Sequence, residues 1–179
     1  LMDEYPITMD QLYEASRQST GIYYTHIMQV LSLMGYTGQP IGELHRELFH
    51  PGSPHKFQTD YMDAMEAVRL IRSCGGVPVL AHPGQYKNPM LMEMMIEDHM
   101  MDGIELNHPR NDEKTMEQIK VLCKEHDLFI TGGTDFHGLY TTTPYPLGSF
   151  LCPEEGLERL IDAGKKANEA YYQKKAAKK

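Results

Sequence analysis

Four side chains capable of metal or acid–base chemistry fall at recurrent positions in this sequence. His82 closes the apolar run Val77-Pro78-Val79-Leu80-Ala81, and His108 follows Gly103-Ile104-Glu105-Leu106-Asn107. Asp135 and His137 stand two apart in Gly132-Gly133-Thr134-Asp135-Phe136-His137-Gly138, after a third apolar run, Leu128-Phe129-Ile130-Thr131. Imidazole and carboxylate without thiolate suit zinc, manganese or ferrous iron, and disfavour a pure calcium or magnesium site. In extended backbone, residues two apart point to one side, which predicts that Asp135 and His137 face the same ligand. The glycines around them permit a tight turn and a close backbone approach. A single histidine beside a proline is ordinarily a loop residue. Histidine at three successive run ends, in a chain with nine, is a pattern that scattered loop residues do not give.

The elements that position these residues read as alternating helices and strands. Residues 1–58 predict short helices at 8–18, 24–34 and 41–49, followed by a Pro-, Gly- and Ser-rich stretch at 51–58. Beyond it the pattern predicts a helix over 60–74, with Met62, Met65, Val68 and Ile71 inward, then a strand over 77–81. A methionine-rich helix over 89–99, a strand over 103–106, a helix over 112–125 and a strand over 128–131 follow, and a last helix covers 153–171. Strand and helix in alternation with short links is the signature of a parallel α/β fold, whose strands end at one rim where ligands bind. His82, His108, Asp135 and His137 are therefore expected to converge there. Three strands are too few to close a barrel.

Other residues fit plainer roles. His45, His50, His55, His99 and His126 fall on helix faces or loops, and Met90, Met92, Met94, Met95, Met100 and Met101 read as helix core and its edge. Glu105 is open between a structural and a catalytic carboxylate. The three cysteines, Cys74, Cys123 and Cys152, are scattered and read as small buried hydrophobes in a reducing compartment, the cytoplasm. With 25 acidic and 17 basic residues the net charge is -8, which argues against a general nucleic-acid or membrane-surface binder. An anionic substrate stays open, since bound metal ions add positive charge. No nucleophile elbow, Walker loop or dinucleotide fingerprint is present.

Val79-Leu80-Ala81-His82-Pro83-Gly84 followed by Thr131-Gly132-Gly133-Thr134-Asp135-Phe136-His137-Gly138 resembles the PHP family of metal-dependent phosphoesterases, and within it the branch of nucleoside 3',5'-bisphosphate phosphatases and 5'-3' exoribonucleases. Thr25-His26-Ile27-Met28-Gln29-Val30-Leu31 is similar to the helical insertion that precedes the first motif in that branch. The resemblance spans about Ile7 to Leu151. It implies the carboxyl-terminal part of a distorted (β/α)7 barrel, with a cap subdomain at 1–58, barrel units at 59–152 and a terminal helix with a basic tail at 153–179. It implies His82, Asp135 and His137 as ligands of divalent manganese, zinc or iron, two or three ions in the complete protein, with Asp135 and His137 also catalytic. His26, His108 and Arg110 are candidate contacts to the substrate phosphate, placed by position and charge. The implied reaction is hydrolysis of a phosphate ester, of a nucleotide, short oligonucleotide or other phosphorylated small molecule, by a metal-activated hydroxide.

The family's amino-terminal His-x-His motif, Asp/His strand end and bridging glutamate have no counterpart in the 179 residues. The expectation is thus a carboxyl-terminal portion that supplies part of a site. Two other readings are a non-catalytic metal- or ligand-binding module, or half of a split protein, and an amidohydrolase-like C–N hydrolase. An incomplete barrel also leaves strand edges uncovered, which predicts a homodimer.

Overall fold

The computed structural model describes residues 1–57 and 59–177. Residue 58, where the expected cap boundary falls, and the last two residues of the basic tail lie outside the described residues. The chain forms two compact units, Leu1–Asp60 with His137–Pro144, and Tyr61–Phe136 with Tyr145–Lys179.

The first unit contains α1 (Met9–Ala15), α2 (Tyr24–Leu33) and α3 (Glu43–Phe49). Thr8 and Gln11 start α1 with a reciprocal capping box. Helix α1 stops three residues before the expected Gln18, where the Ser16 hydroxyl donates to the Leu12 carbonyl at 2.8 Å. Helix α3 begins two residues late because Gly42 caps it. The three helices and the segment before α1 bury Ile7, Leu12, Met28, Val30, Leu31, Leu48 and Phe49 in one core.

The second unit runs α4 (Ala64–Ser73), β1 (Val79–Leu80), α5 (Pro89–Glu97), β2 (Gly103–Asn107), α6 (Glu113–Glu125), β3 (Phe129–Gly132) and α7 (Glu154–Ala176). Its sheet is parallel throughout in the order β1-β2-β3, with Val79 level with Gly103 and Gly103 level with Phe129. A register irregularity between Glu105 and Asn107 interrupts the β2–β3 ladder at the strand ends. On β2, Ile104 and Leu106 enter a core with Met92, Ile96, Ile119, Cys123 and Leu128, while Glu105 and Asn107 face the other way.

Several expectations contract. Helix α4 starts after Asp63, whose carboxylate accepts the Met65 and Glu66 amide hydrogens, so Met62 lies outside it. Val68 is buried as expected and Met65 packs beside it, whereas Ile71 is exposed. The strand expected over 77–81 shrinks to two residues, Pro78 having no amide hydrogen for a ladder. Of the methionines, Met92, Met95 and Met101 are core and Met90 is exposed. All three cysteines are free, but Cys123 alone is buried. Cys74 is exposed and Cys152 intermediate, which corrects their reading as buried hydrophobes.

Candidate functional site

The parallel sheet places the ends of β1, β2 and β3 on one rim, and three of the expected residues meet there. The rings of His82 and His108 lie 5.0 Å apart between centroids. His108 Nε2 lies 3.6 Å from Asp135 Oδ2. Two atoms of this cluster, His82 Nδ1 and His108 Nε2, are buried without a hydrogen-bond partner. An unsatisfied buried polar atom costs about 1–3 kcal/mol, and such atoms in a folded protein point to a ligand or a catalytic role.

The backbone beneath the cluster is strained. His82 (φ 32°) and Asp135 (φ 51°) are both in the left-handed region without being glycine. Each such residue costs about 1–3 kcal/mol and persists only where its surroundings dictate it. The turn at Asp135 also corrects the expectation of extended backbone through Asp135-Phe136-His137. The simple same-side argument for that pair therefore does not hold.

His108 is 1% exposed. Its Nδ1 accepts the amide hydrogen of Arg110 at 3.1 Å, so in the neutral ring the proton sits on Nε2, the atom facing Asp135. Burial lowers the His108 pKa from 6.5, with Glu105 and Asp135 opposing the shift and His82 reinforcing it. His108 is thus a neutral ring with an N–H donor directed into the site.

Glu105, whose role the sequence left open, and Asn111 and Thr134, which it did not single out, hold the rim together. Glu105 Oε2 accepts the His82 amide hydrogen at 2.8 Å. Asn111 is buried, donates to the carbonyls of Glu105 and Leu106, and accepts the Gly84 amide hydrogen at 2.9 Å. The Thr134 hydroxyl accepts the amide hydrogens of Gly148 and Phe150. Apart from the Asn111 bonds to the Glu105 and Leu106 carbonyls, these contacts join residues 14 to 27 apart in sequence and leave no local pattern.

Arg110 has an exposed side chain on the loop after His108. His26 and His137 belong to the first unit. There, His26 is tied locally, with the Tyr23 amide hydrogen on Nδ1 at 3.0 Å and Ser19 Oγ 3.2 Å from Nε2. Tyr140 in the 137–144 loop donates to Gln29 Oε1 on α2 at 2.7 Å, fastening that loop to the helix that carries His26.

The donor set suits a first-row divalent ion, since a partnerless imidazole nitrogen on His82 stands in one cluster with a carboxylate on Asp135. Among the described residues, no group of three or more His, Cys, Asp or Glu side chains is arranged to hold a metal ion. The donor chemistry is of the kind such an ion takes, while the described cluster does not by itself make up a ligand set.

Fold and motifs together define the class: the chain is a relative of the PHP metal-dependent phosphoesterases. It is similar to a phosphoribosyl 1,2-cyclic phosphate 1,2-diphosphodiesterase from Eggerthella lenta, 33% identical over 141 residues, covering 79% of this chain and 53% of the relative. It is also similar to a 3',5'-nucleoside bisphosphate phosphatase from Chromobacterium violaceum, 30% identical over 96 residues, covering 51% of this chain and 34% of that protein. A solved Bifidobacterium adolescentis structure described as a metal-dependent phosphoesterase superposes with a TM-score of 0.72 at 25% identity, covering 90% of this chain and 58% of its own. The chain thus spans about half the length of the first of these relatives. No family model matches it.

Proposed function

We propose that this chain contributes the carboxyl-terminal half of the active site of a metal-dependent phosphoesterase. Its substrate is a phosphorylated small molecule, a nucleotide or a short oligonucleotide. The observation that carries this reading is the rim cluster of His82, His108 and Asp135, with two buried ring nitrogens lacking partners. In this proposal residues 1–58 form a helical cap, residues 59–152 are units of a (β/α)7 barrel, and residues 153–179 close it. Free cysteines support a cytoplasmic setting.

His82 and Asp135 would hold the divalent ion, manganese, zinc or iron, and His137 is the further ligand that the resemblance to the family implies. When bound, such ions supply Lewis acidity toward phosphoryl oxygens and lower the pKa of water. His108 is no ligand here, because its inward nitrogen carries the proton. It would donate that N–H as a hydrogen bond to a phosphoryl oxygen, with the Arg110 amide on Nδ1 holding its ring in line. Arg110 supplies a mobile cation to the phosphate from the same loop.

The test is hydrolysis of a 3',5'-bisphosphorylated nucleoside and a 5'-phosphorylated oligoribonucleotide by the protein that contains this chain. Turnover is expected with manganese, zinc or iron, is lost on chelation and is abolished by Asp135→Ala. Full activity in Asp135→Ala, or turnover confined to amide and lactone substrates, overturns the reading.

A further inference from the structure

We propose that Glu105 is the positioning residue of this site: its carboxylate holds the His82 backbone in the left-handed turn that directs the His82 ring toward His108. The inference rests on the phosphoesterase reading for the purpose of the site, but its geometry stands independently. β2 is the central strand of the sheet, and Glu105 lies near its end on the face opposite Ile104 and Leu106. From there its two oxygens reach both neighbouring strand ends. Oε2 accepts the His82 amide hydrogen at 2.8 Å, beyond the end of β1. Oε1 lies against Gly133, beyond the end of β3, where a Cβ would come within 3.1 Å of it.

The remaining contacts show why a side-chain oxygen acceptor is needed at this point. His82 adopts φ 32° and is followed by Pro83, which begins a single turn of 3-10 helix. Proline fixes its own φ and offers no amide hydrogen, so the anchors of this turn are the amides on either side. The Gly84 amide is held by Asn111, and Asn111 in turn is held by the Glu105 and Leu106 carbonyls. The His82 amide is held by Glu105 itself. One stretch of β2 thus clamps the loop at both ends. Without the Glu105 contact, the His82 amide loses its acceptor and the turn relaxes toward the right-handed or extended regions that histidine prefers. The ring then leaves its place 5.0 Å from that of His108.

Glu105 is not assigned as a ligand. One of its oxygens is committed to a backbone amide, and a Cβ at position 133 would stand 3.1 Å from the other. The proposal also accounts for Gly133, which a larger residue would turn into a wedge against the carboxylate.

The experiment uses the 179-residue chain and two readouts. The first is the amide signal of His82 in 15N-labelled protein, with its hydrogen exchange, and needs neither metal nor substrate. The second is cobalt(II) binding followed by its visible absorption. Glu105→Ala is expected to shift the His82 amide upfield, speed its exchange by at least tenfold and weaken cobalt binding by about 10–100-fold. Glu105→Gln, which keeps an oxygen acceptor, is expected to stay within about threefold of the parent in cobalt affinity, a rescue that simple loss of a ligand would not show. Gly133→Ala, which leaves Glu105 in place but crowds it, is expected to move the His82 amide in the same direction by less. An unmoved His82 amide in Glu105→Ala, with the fold intact by circular dichroism, overturns the proposal. Equal loss of cobalt affinity in the alanine and glutamine variants overturns it too, by making Glu105 a ligand. If the parent chain binds no cobalt, the metal reading fails, and the His82 amide still decides the role of Glu105.

Discussion

At His108 the two ring nitrogens have opposite roles, one accepting the Arg110 amide hydrogen and the other facing Asp135. Burial outweighs the two carboxylates nearby, so the ring titrates below 6.5 in the folded chain. A histidine with a lowered pKa binds fewer protons folded than unfolded. Its stabilising contribution is therefore complete above the unfolded value and is lost as pH falls below 6.5. A proton NMR titration is expected to give a midpoint below 6.5, and His108→Gln is expected to remove this part of the acid sensitivity of unfolding. A midpoint at or above 6.5 would contradict the burial argument. Cysteine gives a second prediction at this scale. Burial pushes the Cys123 thiol up to about 11, with Arg159 opposing, while Cys74 is exposed. Since the thiolate is the nucleophile, a disulfide reagent at pH 8 is expected to label Cys74 promptly and Cys123 only after unfolding. Equal rates at the two positions would refute this. His82, His108 and Asp135 were legible in the sequence because each follows an apolar strand within three residues. The roles of Glu105 and Asn111 were not, because their partners are backbone groups 23 and 27 residues away, on β1's loop.

At the scale of elements, the side-chain-capped starts of α5 and α6 were legible to within a residue, whereas Asp63 starts α4 four residues later than expected. Asp112 caps α6 through the Thr115 amide, and Asn88 caps α5 through that of Leu91. The elements that differed are those whose limits are set by tertiary contact or by proline. β1 is cut short beside Pro78, and α7 runs on to Ala176, five residues past the expected end. The start of α7 depends on a close approach that a propensity scale does not contain. Gly156 is buried, and a Cβ there would lie 1.8 Å from the Ile130 carbonyl oxygen on β3. Gly156→Ala would raise helix propensity on its own, by about 1 kcal/mol. The clash is with backbone on both sides, and overpacking of this kind costs about 1–3 kcal/mol or more. The net effect is expected to be destabilising, read as a lower denaturant midpoint at unchanged slope. A midpoint equal to or above the parent's would show that α7 can lift away from β3 without penalty.

The described residues form separate cores, one under α1 to α3 in the first unit and, in the second, one around β2 and a smaller one around Val68, Met95 and Met101, so each unit has its own source of stability. The second unit is the less self-sufficient of the two by topology. A parallel sheet is ordinarily covered on both faces and extended by further strands, and among the described residues this one has three, with β1 and β3 at its edges. The relatives are about twice as long as the matched segment, and in our proposal their additional length supplies the missing strands. In the 179-residue chain alone, a second copy is the available source of cover for such an edge. The net charge of -8 opposes that association, which gives the prediction a sign. Sizing with light scattering is expected to show a concentration-dependent dimer of twice 20.5 kDa. It should strengthen as salt screens the like charges, the screening length falling from about 30 Å at 0.01 M to about 8 Å at 0.15 M. Zinc or manganese is not needed for it, because the edge is made of backbone groups and not of the rim histidines. A 20.5 kDa monomer at every concentration and salt would show that the edges are protected within the chain. A dimer that dissolves in salt would place the contact on charged surface instead of on the sheet.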